Sequence, residues 1–353
     1  MVLTWALVIA TKDRIAPLAH SVRFALTQSR PPIEVIIVDA STDWAAHKVE
    51  ITGILAEYPA IRLTYLQAAR PSSAVQRNQG IAKATADVLF LIDDDSFLFP
   101  DAAEQVMQIY EADPEGAVAG VQLAPSARSP GDGPDARQQG NLGLENVAPT
   151  IGLKRSLLRA VLSYGPQGNF IPYDDTYPDR PIPETLARFA VKPSRLFEGF
   201  RMTLRRTVAA RLEFEPLLLY YSPGEDLDLS YRASREGAMV MAREAKVHHF
   251  NSGDGRLKRH QVAMLGTLNQ ALFLRRNGAN PKQARARYLV RVLHRVLAGA
   301  MMDLAQRRLN FPKARGTWAG LWLSGQIFRA SLEELEQLYP ALQERIVKGA
   351  DKT

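Results

Sequence analysis

The chain of 353 residues contains no cysteine. That absence excludes a disulfide framework, a thiolate metal site and a cysteine nucleophile, and it suits a reducing compartment. Long apolar runs are missing as well, and no stretch approaches the ~18 uncharged residues that read as a bilayer-spanning helix. The opening MVLTWALVIATKDR has no basic residue ahead of its apolar run, so it reads as a strand and not as a secretory signal. Internal repeats and low-complexity tracts are absent too. Acidic residues are outnumbered, 37 against 44 basic ones, and the net charge of +7 implies an anionic partner: nucleic acid, phospholipid or a phosphate-bearing small molecule. No RNP-like, zinc-finger or helix-turn-helix signature accompanies the charge, so a nucleic-acid partner is not expected. A hydrophobic content of 46% and a charged content of 23% are those of an ordinary globular protein, long enough for a large α/β domain with an appendage. The expected location is cytoplasmic, either free or peripheral on the inner face of the plasma membrane.

What is present begins with alternation. Apolar, β-branched runs at Leu3–Ala10, Glu34–Val38, Ile61–Leu66 and Asp87–Ile92 are separated by helical stretches at Ile15–Gln28, onward to Glu57, and at Ser73–Thr85. This order predicts parallel strands joined by crossover helices, and the near-continuous apolarity predicts a sheet covered on both faces. From Ala124 to about Leu196 the text loosens into Gly, Pro, Ser and Asp, which reads as long loops. A helix is expected near Arg205, another in Gly224–Gly237 with Gly237 as its cap, and a last strand at Met239–Phe250. Residues 1–253 thus form one expected domain, with a loop region at 124–198, and residues 254–353 a helical extension. Within that extension Lys282–Arg308 is amphipathic. Arg287, Arg291, His294 and Arg295 share one face, and Leu289, Leu293, Val296, Leu297, Ala300 and Leu304 the other. Packing of the apolar face against the body of the protein is one reading. Contact with a membrane surface is the other, favoured by Trp318 and Trp322 one helical turn apart.

The segment DVLFLIDDD runs a buried strand straight into Asp93, Asp94 and Asp95. In open α/β sheets ligands bind beyond the carboxyl ends of the strands. Three adjacent carboxylates repel one another by roughly 1–4 kcal/mol per close pair, a cost that a hard divalent cation removes. A surface turn or helix cap is the competing reading of the triplet alone.

The company of the triplet extends the argument. ATKDR (Ala10–Arg14), EVIIVDAS (Glu34–Ser41), QRNQGI (Gln76–Ile81), FLIDDD (Phe90–Asp95), EGFRMTLRR (Glu198–Arg206), GEDLDLSYRASREG (Gly224–Gly237) and AKVHHFNSG (Ala245–Gly253) follow in order. With these motifs, residues 1–253 resemble family 2 glycosyltransferases of the GT-A fold, inverting and non-processive. The resemblance implies a mostly parallel α/β sheet covered on both faces, with the helical extension appended. It implies a nucleotide-diphosphate sugar donor (UDP-, dTDP- or GDP-linked), Mn2+ or Mg2+, and a glycan or lipid-linked acceptor. Thr11, Arg14, Asp39, Arg77, Asp93 and Asp94 then serve the donor nucleotide, with Asp39 placed to accept a hydrogen bond from a base N–H. Asp95 and His249 hold the metal, His249 being chosen over its neighbour because alternation from Val247 points it to the same side as the buried chain. Asp226 is the general base, with Glu225 as the second choice, at a helix start whose dipole favours negative charge. Glu198, Gly199 and His248 are acceptor-side candidates.

Some features depart from the family pattern. Ala40 stands where a second acid is common, and Lys12-Asp13 replaces Tyr-Asn, so the base of the donor is not implied. The Gln-x-x-Arg-Trp signature of processive synthases is absent, which points to transfer of one sugar per encounter. A sugar-phosphate nucleotidylyltransferase is the alternative enzyme, but ATKDR lacks the glycine-rich phosphate loop it would need. A non-catalytic glycan- or lipid-binding scaffold is the remaining alternative.

Overall fold

The first four apolar runs become strands β1 (Trp5–Thr11), β2 (Glu34–Asp39), β3 (Arg62–Gln67) and β4 (Val88–Leu91). Between them lie helices α1 (Ile15–Leu26), α2 (Trp44–Leu55) and α3 (Ser73–Lys83). The structure, a computed structural model, describes residues 2–131, 170–174, 176–178, 180–251 and 257–349. The expected loop region at 124–198 therefore lies in large part outside the described residues. After β4 come β5 (Ser96–Leu98), α4 (Ala102–Glu111), β6 (Val118–Ser126), β7 (Val191–Pro193), β8 (Met202–Arg205), α5 (Arg206–Leu212), α6 (Glu225–Ala233) and β9 (Ala238–His249). Four helices complete the described chain: α7 (Arg259–Asn277), α8 (Pro281–Ala305), α9 (Pro312–Arg329) and α10 (Leu332–Lys348).

The nine strands form one sheet in the order β3-β2-β1-β4-β8-β6-β9-β5, with β7 paired to β9. β1, β2, β3 and β4 are parallel, β6 and β9 run with them, and β5, β7 and β8 run against them. The sheet is thus mostly parallel. The chain lays strands outward from β1 to β3 and then crosses back to set β4 on the other side of β1. This reversal makes the carboxyl ends of β1 and β4 the natural ligand crevice.

The chain divides into two compact units. In the first, built from residues within 1–137, 177–216 and 229–255, alternation sorts the strand residues onto two faces. Leu7, Ile9, Val35 and Ile37 pack into a core with Leu18 and Val22 of α1 and Val106 and Met107 of α4. On the opposite face α3 approaches so closely that a Cβ on Gly80 would lie 2.5 Å from Val8 Cγ1. Glu34, fully buried at the start of β2, accepts from the Thr85 and Ala86 amides at 2.7 and 2.9 Å and from Arg62, and so fastens β2 to the connection before β4. Gly237 proves not to be a helix cap. α6 ends at Ala233, and Gly237 is needed because a Cβ there would meet Ala117 O at 2.5 Å.

The second unit draws its described residues from 170–174, 176, 217–228 and 257–349. α9 presents Gly316 and Gly320 to α7, where added Cβ atoms would fall 2.2 Å from His260 O and 2.8 Å from Thr267 Cβ. Buried Asp303, near the end of α8, accepts from the Lys313 and Ala314 amides at 2.8 and 3.1 Å and caps α9. The expectation for the amphipathic stretch needs correction. α8 spans Pro281–Ala305, and its inward residues are Ala284, Tyr288, Val292, Gly299 and Met302. Arg287 donates to Tyr173 O at 2.6 Å, whereas Leu289, Leu293, Leu297 and Leu304 are exposed. The wheel identified two faces correctly but could not tell which neighbours each would meet. No helix among the described residues is long and apolar enough to cross a membrane.

Candidate functional site

β4 delivers the acidic triplet to the crevice beside the end of β1. Asp94 and Asp95 are buried, and Asp93 is partly open. Thr11, the last residue of β1, donates its hydroxyl to Asp94 at 2.7 Å. Arg14, at the foot of α1, bridges Asp94 at 2.7 Å and Asp95. From the far side, His249 at the end of β9 sets its Nε2 3.1 Å from Asp95 and 3.9 Å from Asp93. The Phe200 ring stacks on this imidazole with centroids 4.5 Å apart and planes nearly parallel. Arg77, buried on α3 beneath the Phe214 ring, donates to Asp93 at 2.5 Å. Gln76 beside it donates to Thr11 O and Val38 O at 2.8 and 2.7 Å, joining the ends of β1 and β2.

Electrostatics separates the three acids. Burial pushes the Asp94 carboxyl up to about 7, with Asp95 and Asp93 adding repulsion and Arg14 and Thr11 opposing. Burial also works against ionisation of Asp95, but the hydrogen bond and charge of His249, followed by Arg14, hold it well below the ordinary carboxylate range. Burial disfavours the charge on Arg14 as well, yet Asp94 and Asp95 together raise its pKa above the usual value. Asp95 is thus kept as a carboxylate.

One carboxylate oxygen each from Asp93 and Asp95 and one nitrogen of His249 lie within 4.8 Å of one another. A donor set of two carboxylates and an imidazole fits a divalent cation such as Mn2+ or Mg2+. The residues present therefore fit the metal that the sequence implies.

Residues 6–158 match the model of glycosyl transferase family 2. Among solved structures, the chain is similar to the mannosyltransferase PcManGT from Pyrobaculum calidifontis in complex with GDP-Man and Mn2+. Identity is 14%, the TM-score is 0.51, and the match covers 100% of this chain and 87% of that one. It is also similar to TarS from S. aureus, at 11% identity and a TM-score of 0.44 over 90% of this chain and 55% of that one, too loosely to bear on function. No curated protein sequence matches. The fold is of the GT-A type.

Thr11, Arg14, Arg77 and the triplet, all within residues 6–158, form one connected network with His249. Asp39 sits at the same sheet edge, paired in register with Thr11. Its carboxylate, however, is fully buried and already engaged: Oδ1 accepts from the Ser41 amide at 2.7 Å and from the Ser41 hydroxyl, and Oδ2 faces His47 Nδ1 at 3.0 Å and the Tyr65 hydroxyl at 2.7 Å. Reading a base N–H would require one of these donors to yield. Asp226 and Glu225 occupy the first turn of α6, together with Asp228, and Asp226 Oδ1 accepts from the Leu227 amide at 2.8 Å.

The acceptor-side candidates divide. Glu198 pairs with Arg201. Gly199 lies against Arg77, 3.1 Å from Nη2 by its Cβ position. His248 points the other way from His249, buried with Nδ1 3.1 Å from Ser126 O. Phe200, Phe214, His47 and Tyr65 were not legible as site residues. Only Phe200 carried a signal, standing next to Gly199 within the EGFRMTLRR motif.

Proposed function

We propose that the protein is a metal-assisted, inverting glycosyltransferase that moves one sugar from a nucleotide-diphosphate donor to a hydroxyl of a glycan or lipid-linked oligosaccharide. The observation that carries this reading is the cluster of Asp93, Asp95 and His249 at the strand-order reversal, flanked by the cations Arg14 and Arg77. When bound, a divalent cation supplies Lewis-acid stabilisation of the charge that develops on the departing diphosphate. Asp95, His249 and Asp93 would hold it, and Arg14 and Arg77 would add positive charge where the phosphates lie.

In the transfer, the acceptor hydroxyl oxygen bonds to the anomeric carbon from the face opposite the leaving group. The bond from that carbon to the phosphate oxygen breaks, and the nucleoside diphosphate leaves with the electron pair. The acceptor proton passes to Asp226, the carboxylate assigned as general base, with Glu225 as the second candidate. Thr11, by its hydrogen bond to Asp94, helps to order the triplet. UDP-, dTDP- and GDP-sugars are the set to test, and the GDP-Man and Mn2+ of the Pyrobaculum calidifontis structure make that pair the first. A lipid-linked acceptor would put the protein on the inner face of the plasma membrane.

The test follows nucleoside diphosphate release from each donor, with and without EDTA and with Mn2+ or Mg2+ restored. Metal-dependent release of nucleoside diphosphate supports transfer. Formation of a nucleotide sugar and pyrophosphate from a nucleoside triphosphate and a sugar 1-phosphate would instead identify a nucleotidylyltransferase. Asp226→Asn is expected to stop transfer by about a hundredfold or more while nucleotide binding persists, and Asp95→Asn to lose metal-dependent binding and turnover together. Equal loss of binding in both variants would refute the assigned roles.

A further inference from the structure

Among the described residues of the second unit, the outer side of α8 and α9 carries a group of exposed apolar side chains. Leu289, Leu293 and Leu297 on α8 and Trp318 and Trp322 on α9 are all exposed, Trp322 to 81%. Their shared orientation follows from the packing. Tyr288 donates to Thr267 O of α7 and meets the Phe328 ring of α9 at 5.2 Å, so its row on α8 faces the other two helices. The Leu289–Leu293–Leu297 row stands one residue on, about 100° around the helix and turned away from α7. On α9, Ala314 lies against Gly299 of α8, and Trp318 and Trp322 continue that row at intervals of four. Both rows therefore border the seam between α8 and α9 on the side opposite α7.

Charge selects the occupant. From Lys282 to Arg329 the sequence holds ten lysines and arginines and one acid, and that acid, Asp303, is buried as the cap of α9. Exposed Lys282 extends the leucine row at its start, and exposed Arg315 and Arg329 flank the tryptophan row at both ends. Aliphatic side chains bounded by indoles and then by cations suit the layered boundary of a bilayer with anionic headgroups.

We propose that this face of α8 and α9 docks on an anionic lipid bilayer, inserting Leu289, Leu293, Leu297, Trp318 and Trp322 while Lys282, Arg315 and Arg329 meet lipid phosphates. The inference deepens the lipid-linked-acceptor reading and rests on it for its purpose, while its evidence is the surface itself. The contact differs from one made by the arginine face of α8, since Arg287 of that face is engaged with Tyr173.

Sedimentation of the full chain with vesicles tests it, using phosphatidylcholine alone and phosphatidylcholine with about a quarter phosphatidylglycerol. Binding to the anionic vesicles is expected, weakened by salt, with tryptophan emission quenched by brominated acyl chains. Leu293→Ser with Trp322→Ser should lower the partition coefficient roughly tenfold at an unchanged melting temperature. Replacing Lys282, Arg315 and Arg329 by Gln should remove the preference for anionic vesicles. Failure of the wild-type chain to bind, undiminished binding of the serine variant, or a dimer by light scattering that the serine variant dissolves would overturn the proposal. Nucleoside diphosphate release with a soluble acceptor is measured in parallel and should be unaffected by the serine variant. Its absence in the wild type would refute the transfer reading and leave the vesicle result standing.

Discussion

Gly199 shows how much of the site is decided by a missing side chain. Its Cβ position lies 3.1 Å from Arg77 Nη2 and 3.4 Å from Nη1, so alanine would push the guanidinium by a few tenths of an ångström from its 2.5 Å contact with Asp93. A charge-assisted bond is sensitive to such a shift. Gly199→Ala should raise the KM for the donor about threefold to tenfold at a nearly constant kcat, because Arg77 is assigned to binding and not to proton transfer. An unchanged KM in a donor titration would remove Arg77 from the donor site. Asp39 makes the complementary point about what one residue's letter discloses. Its place at the end of β2 was readable from EVIIVDAS, and Ser41 two residues on is a local partner. His47 and Tyr65 reach it only once α2 and β3 are folded alongside, so nothing in the local text announced that its oxygens would be so fully engaged.

The strands made of one continuous buried run at the start of the chain were legible, whereas α4, β6 and the short strands were not read. β1, β2 and β4 are buried throughout apart from Ala10, and their β-branched runs marked them within one or two residues. β5, β7 and β8 have three or four residues each and gain their pairing from distant strands, so no periodic signal could accumulate. Glu34 is the junction where such long-range pairing becomes testable. Burial raises its pKa, but the Arg62 bond and then the Thr85 and Ala86 amides outweigh it and leave the carboxyl below the ordinary glutamate value. With the folded pKa depressed, the unfolded chain binds the extra proton first as pH falls. The stabilisation is therefore complete above the ordinary glutamate range and is lost as pH drops through the depressed value. Urea unfolding at neutral pH and near pH 3 should show Glu34→Gln less stable by about 1–3 kcal/mol at neutral pH and less sensitive to acid than the wild type. Parallel acid profiles for the two proteins would contradict this. Gly80→Ala should cost roughly 1–3 kcal/mol in the same assay, since its Cβ would collide with Val8 across the sheet.

For the molecule as a whole, the excess of 44 basic over 37 acidic residues pointed to anionic partners without naming them. The structure resolves that excess into local arrangements, with Arg14 and Arg77 on the acidic triplet and a cationic rim on the outer side of α8 and α9. At the triplet, two arginines and His249 are set against the three acids, and burial pushes the Asp94 carboxyl up to about 7. A ligand that brings its own cations and phosphates should bind the folded protein and not the unfolded chain, and so raise the melting temperature by mass action. At a hundredfold excess over Kd the gain is about 2.7 kcal/mol, which for a chain of 353 residues corresponds to roughly 3–5 °C. Thermal melting with GDP, UDP or dTDP should therefore show a shift for the matching base only when Mn2+ or Mg2+ is present. EDTA should reverse it, and Asp95→Asn should abolish it. A nucleotide that stabilises the protein equally in EDTA would show that Arg14 and Arg77 suffice to hold the diphosphate, and the cluster of Asp93, Asp95 and His249 would then have no metal to bind in donor recognition.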